Sequence, residues 1–191
     1  PFLGDFGNLP EYADTFGVKH SNMLISLSQI SETLCILLIP FCLKRWGIKK
    51  VMLMAMVAWV FRFGLFATGN PGSGVWMFVL SMIVYGIAFD FFNISGSLFV
   101  NENTDKSIRS SAQGLFMLMT NGIGAAVGTL GAQWVVNILV NAKRVPGADG
   151  MIDWHAVMGG RADAWYVFAA YSLVIAIFFA KTSIMSFVSA A

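Results

Sequence analysis

Strongly polar side chains interrupt two otherwise apolar or small-residue stretches: Gln29 and Glu32 in SLSQISETL, and Asp90 and Asn93 in IVYGIAFDFFNISGSLFV. Helix positions i and i+3 share a face. Gln29 and Glu32 therefore point the same way, with Ser28 beside them. One amide and one ionisable carboxyl on a common face suit a ligand rich in hydroxyls and ring nitrogens. In the second stretch Tyr85, Phe89, Asn93, Ser97 and Asp90 fall at about 0, 40, 80, 120 and 140° around a helix of 100° per residue. That sector reads aromatic, aromatic, amide, hydroxyl, carboxylate. A flat polar ligand needs such a surface, because rings stack on its face and polar groups fix its edge. The plainer readings are a satisfied interhelical pair for Gln29 and Glu32 and a structural carboxylate for Asp90. The assembled faces favour a cavity.

An ionisable group in the hydrocarbon of a bilayer costs at least about 2.5 kcal/mol, and carboxyls placed there commonly serve as proton relays. Asp90 is accordingly expected to be a protonatable coupling site beside a stacking platform, with Glu32 as the second carboxyl. Arg62, in AWVFRFGLF, lies about six residues from the end of its span. Its long stem is expected to snorkel to the headgroups; the rival is an ion pair inside the bundle with Asp90 or Glu32. His20 and His155 are far apart in polar segments, and no spacing suggests a metal site, a cofactor or a nucleophile–base pair.

The elements that must carry these residues are membrane spans. Of the 191 residues, 57% are hydrophobic and only 12% charged, and the mean hydropathy is +0.72. A soluble domain carries about twice that share of charge. The net charge of +2 does not suggest nucleic acid as a partner. Five apolar runs meet the requirement of about 20 residues for a helical span: roughly 22–43, 50–68, 75–99, 113–140 and 163–180. Residues 1–21 read as a loop outside the membrane, and the connectors are KRWGIKK (44–50), GNPGSG (69–74), NENTDKSIRSS (101–111) and the long 141–161 segment. Lys44, Arg45, Lys49, Lys50, Lys106, Arg109 and Lys181 collect on one side, against Lys19, Lys143, Arg144 and Arg161 on the other. The richer side is expected to be cytoplasmic, which puts the N-terminus outside and the C-terminus inside. The fourth span holds Gly122, Gly124, Gly128 and Gly131. Gly124 and Gly128 make a GxxxG pair, expected to let helices approach closely, with a hinge as the lesser reading. Cys35 and Cys42 lie two turns apart on one helix, about 10 Å along the axis, too far for a disulfide. An odd number of spans behind a loop-like start suggests a piece of a longer chain.

FCLKRWGIKKVML resembles the loop signature of the major facilitator superfamily, G-x-L-x-D-R-x-G-R-R. Arg45, Gly47, Lys49 and Lys50 match in kind, while Pro40, Cys42 and Lys44 replace the Gly, Leu and Asp. YGIAFDFFNISGSLFV, with SQISE upstream, RSSAQGLFM downstream and PFLGDFG at the start, is similar to the bacterial nucleoside permeases, the nucleoside:proton symporters of that superfamily. The resemblance covers nearly the whole chain. It implies an all-α integral membrane fold, spans eight to twelve of twelve, forming most of a C-terminal six-helix bundle over residues 22–191. It implies substrate-binding roles for Gln29, Glu32, Tyr85 and Phe89 and proton coupling for Asp90. Asn93 joins the substrate face, and Ser97 extends it, from the helical sector alone. The implied partners are a nucleoside, protons, the lipid of a bacterial cytoplasmic membrane, and the missing preceding span and N-terminal half. The alternative is a symporter of the same architecture for a sugar or another small polar metabolite. An intramembrane enzyme would need a convergent catalytic set in the spans.

Overall fold

The structure, a computed structural model, describes residues 2–148 and 150–188. Pro1 and the last three residues of the expected bundle range lie outside them. Two short helices, α1 (Phe2–Phe6) and α2 (Phe16–Lys19), precede the long α3 (Ser21–Thr68) and α4 (Val75–Glu102). Next come α5 (Arg109–Met117), a π-helical stretch (Leu118–Gly124) and α6 (Ala125–Leu139), which run on as one rod, and then α7 (Trp154–Val188). Four of these helical stretches are long and apolar enough to cross a membrane, counting α5 to α6 as one.

α3 supplies two arms, each long enough to cross a bilayer. Its 48 residues would exceed 70 Å if straight, about twice what a bilayer needs. The helix breaks at Gly47, where φ is 76° and ψ 165°, a region open to glycine at little cost. The arms on either side are about 39 and 31 Å long at 1.5 Å per residue. They fold against each other: Cys35, Ile39 and Cys42 of the first arm share a buried cluster with Val51 and Ala55 of the second and Phe91 of α4. The stretches expected as five spans are thus all helical, the first two joined in α3. The 44–50 connector, expected as a polar loop, is instead helical up to a one-residue reversal, because its Lys, Arg, Trp and Ile residues are all acceptable helix formers. Both cysteines are free and buried.

The start of the chain is packed and partly helical, not a loose loop. Leu3, Phe6 and Leu9 are buried with Leu24, Phe66, Phe78 and Met82 at one end of the bundle. Asp5 of α1 accepts hydrogen bonds from both Arg144 and Arg161, so one carboxylate ties the first helix to the 141–153 connector and to α7. Nearby, Lys19 Nζ lies 2.9 Å from the Asp14 carboxylate and holds that carboxyl below its ordinary range. Asn70 Oδ1 accepts from the Gly72 and Gly74 amides at 3.1 and 3.0 Å, an Asx-type turn that launches α4.

α7 packs on the second arm of α3 through rings. Trp165 stacks on Phe66 at 4.9 Å and on Phe63 at 5.8 Å. Its helix begins at Trp154, within the stretch expected as loop. The α5-to-α6 rod stays largely exposed. It touches α4 at its start and meets α7 at its end through Val140, Val157 and Ala164. Nothing lies within 4 Å of a Cβ built at Gly128 or Gly131. The close helix approach expected through Gly124 and Gly128 is therefore not made within the described residues; the π-helical stretch takes in Gly122 and Gly124 instead.

Candidate functional site

The first arm of α3 crosses α4 at Ser31 and Gly86. A Cβ on Gly86 would stand 2.9 Å from the Ser31 carbonyl carbon and oxygen and from Cys35 Sγ, closer than ordinary contact allows. Small residues permit such approaches between helices in lipid. Ser31 Oγ donates to the Ile83 carbonyl at 2.5 Å. Glu32, next in the chain and half-buried, lies within electrostatic reach of Tyr85 and Asp90 on α4.

Tyr85 is the centre of an aromatic platform. Its ring stacks with Phe89 at 5.7 Å between centroids and 21° between planes, and Trp59 of the second arm meets it edge-on at 6.0 Å and 84°. Phe89 is 40% exposed, so this end of the platform is open, whereas Asp90 is only 9% exposed. Asp90 Oδ2 has no hydrogen-bond partner among the described residues. Asp90 and Phe89 are neighbours on α4 yet part company. Phe89 turns outward, and Asp90 lies toward the seam with the first arm, within electrostatic reach of Cys35.

The remaining candidates spread out from this centre. Gln29 is exposed one turn before Glu32, and its carbonyl accepts from Thr33 Oγ1 at 3.1 Å. Asn93 is half-buried, and its Nδ2 donates to the Phe89 carbonyl at 2.9 Å, so its side-chain oxygen is not used in that bond. Ser97 Oγ donates to Gln113 Oε1 at 3.0 Å, and Gln113 Nε2 donates back to the Ser97 carbonyl at 2.7 Å. Ser97 is thus a tie between α4 and α5. No group of three or more metal-ligating side chains occurs among the described residues.

Arg62 corrects the sequence expectation. It does not snorkel. Its guanidinium carbon lies 4.2 Å from the Tyr85 ring centroid, 5.3 Å from Phe66 and 5.8 Å from Trp59, and Nη1 donates to the Ser81 carbonyl at 3.1 Å. Ser81 Oγ returns a bond to the Arg62 carbonyl at 3.3 Å. Glu32 is within electrostatic reach. The side chain crosses to α4 because the Tyr85 ring there offers a cation a favourable face. The sequence did hold a signal: Trp59 and Phe66 stand three before and four after Arg62, on the same helical face.

A family model described as Nucleoside H+ symporter matches residues 1–185. The chain belongs to the nucleoside H+ symporter family. The xanthosine permease of Escherichia coli (strain K12) is 52% identical over 180 residues, which is 94% of this chain and 40% of that protein. Nucleoside permease NupG of the same strain is 48% identical over 179 residues, 93% of this chain and 40% of NupG. The crystal structure of nucleoside transporter NupG superposes with a TM-score of 0.79 at 47% identity, over 94% of this chain and 41% of that one. A mutant form of NupG gives 0.82 at 46%, over 94% and 42%. The chain therefore spans about 40% of the length of the permeases it matches. The all-helical, multi-pass architecture and the family expected from the sequence are both met.

Proposed function

We propose that this chain is the C-terminal part of a secondary transporter that carries nucleosides into the cell across the bacterial inner membrane, driven by protons. Membership of the symporter family supports the substrate class and the coupling ion. The observation that carries the reading to these residues is the Tyr85–Phe89 stack, open at Phe89, with Glu32 and Asp90 beside it. A nucleobase stacks on the ring pair. Glu32, Gln29 and the free oxygen of Asn93 hydrogen-bond the base edge or the ribose. A sugar would use the hydrogen-bonding groups but would leave the open aromatic face without a flat partner, so the stacked pair favours the nucleoside. The nucleoside is moved and not chemically changed. Asp90 exchanges the proton: a buried carboxyl whose Oδ2 has no hydrogen-bond partner among the described residues gains from neutralisation. Rocking of this bundle against the N-terminal half would expose the site to each side in turn.

The test uses the full-length protein in proteoliposomes with radiolabelled uridine. Wild type should accumulate uridine under an imposed inward proton gradient and stop when a protonophore collapses it. Asp90→Asn should bind uridine with near wild-type affinity but lose accumulation. Gradient-driven uptake by the Asn variant would remove Asp90 from the coupling role, and wild-type uptake indifferent to the gradient would remove proton coupling altogether.

A further inference from the structure

The geometry points to Arg62 as the residue that sets the angle of the Tyr85–Phe89 platform for a planar ligand. It is a positioning residue that acts through Tyr85 and does not itself touch the ligand. The inference rests on the nucleoside reading above.

Three observations carry it. First, the guanidinium is locked. One donor is committed to the Ser81 carbonyl at 3.1 Å, the Ser81 hydroxyl ties the Arg62 carbonyl at 3.3 Å, and Trp59 and Phe66 flank the cation. Second, the nearest of the three rings is Tyr85, at 4.2 Å. Third, among the described residues Tyr85 is the ring against which Phe89 stacks, and Phe89 is 40% exposed. The orientation of the exposed ring thus depends on Tyr85, and that of Tyr85 on the cation lying over it. A guanidinium over a ring donates to a carbonyl through a rigid planar fork that fixes the two geometries relative to each other; an ammonium is a point charge with rotatable donors on a flexible stem and fixes them less firmly. A cation inside a span is costly unless its surroundings compensate it. The Tyr85 ring, the Ser81 carbonyl and the nearby Glu32 do so. An apolar residue would fill the same volume without that cost if packing alone were at stake.

The test measures saturation binding of tritiated uridine to the full-length transporter in detergent, for wild type, Arg62→Met, Tyr85→Leu and the double variant. Arg62→Met should raise Kd about tenfold, within the range of a desolvated cation–π contact, while the number of binding sites per protein stays at the wild-type value. The double variant should bind no more weakly than Tyr85→Leu alone, because Arg62 has nothing left to position. Fold-changes that multiply, or fewer sites at an unchanged Kd, would make Arg62 a merely structural residue and overturn the inference. If Arg62→Met fails to assemble, Arg62→Lys keeps the charge but loses the fork, and should raise Kd about threefold; a wild-type Kd for that variant overturns the inference equally. Absence of saturable uridine binding by wild type would overturn the nucleoside reading, and this inference with it. Wild-type binding that Arg62 substitution leaves unchanged overturns this inference alone.

Discussion

Replacing Gly86 by alanine adds one methyl group, and its effect can be worked from the crossing. That methyl would stand 2.9 Å from the Ser31 carbonyl carbon and oxygen and from Cys35 Sγ. Two of these neighbours are backbone, so they cannot rotate away. To reach ordinary contact the first arm of α3 and α4 must part by about 0.5–1 Å. Overpacking of this kind costs about 1–3 kcal/mol. The parting also stretches the Ser31–Ile83 bond, now 2.5 Å, and moves Glu32 away from Tyr85 and Asp90. Gly64, in the second arm, has nothing within 4 Å of a built Cβ, so Gly64→Ala should only recover the helix entropy that glycine forfeits, about 0.5–1 kcal/mol. The two substitutions are chemically identical and should differ in sign. Thermal melts of the full-length protein in detergent, read alongside uridine affinity, test this. Gly86→Ala should lower the midpoint and weaken binding, whereas Gly64→Ala should do neither. Equal midpoints for the two variants would refute the claim that the Ser31–Gly86 crossing is the contact that sets the site.

Three further outcomes are expected. Phe89→Ala should weaken uridine binding by about 1–3 kcal/mol, the scale of base–aromatic stacking, while Phe89→Tyr and Phe89→Trp lose less; equal calorimetric affinities for the three would reduce Phe89 to a packing residue. Asp5→Ala should leave Arg144 and Arg161 facing each other without their carboxylate and cost about 1.5–3 kcal/mol, the scale of hydrogen bonds to charged groups; a melting midpoint as in wild type counts against a stabilising role for this tie. Single cysteines introduced in the 44–50 turn and the 101–108 connector should resist an impermeant thiol reagent added outside intact cells and react in inverted vesicles, and labelling of both from outside would reverse the topology.

Much of the bundle was legible because its signals are local. Apolar run length marks the spans, and the helical period alone brought Tyr85 and Phe89 to one face. The turn at Gly47 was harder. KRWGIKK has the composition of a loop, and nothing in it announces that the helix persists to the residue before a single glycine with φ of 76°. Arg62 was misjudged because depth from the span end was weighed before the rings around it. The tie at Asp5 was beyond reach, since its partners lie 139 and 156 residues along the chain and no local pattern pairs them. At its edge the helical wheel separates two neighbours: Phe89 is 40% exposed and Asp90 9%. It set Asp90 in the same sector as Phe89, but one residue is a 100° step, enough to carry Asp90 off the open face.

That edge position has a consequence of its own. Phe78, Met82, Gly86 and Asp90 succeed one another at intervals of four along α4, and all four are buried. The carboxyl thus ends a packing stripe whose third member, Gly86, makes the close crossing with the first arm of α3. Burying a charged carboxylate costs far more than burying a neutral amide of the same shape, and Asp90 Oδ2 has no hydrogen bond to offset that cost. Ionisation should therefore push α3 and α4 apart at this level, and neutralisation should let them close. Proton exchange and helix packing would then be one equilibrium, which is what a coupling group requires. Asp90→Asn holds the stripe permanently neutral. It should raise the melting midpoint of the full-length protein, and the gain over wild type should shrink as the pH is lowered and wild-type Asp90 becomes protonated. A midpoint below wild type for Asp90→Asn at every pH would mean that the carboxylate is satisfied where it stands, and would separate its burial from any proton-driven movement.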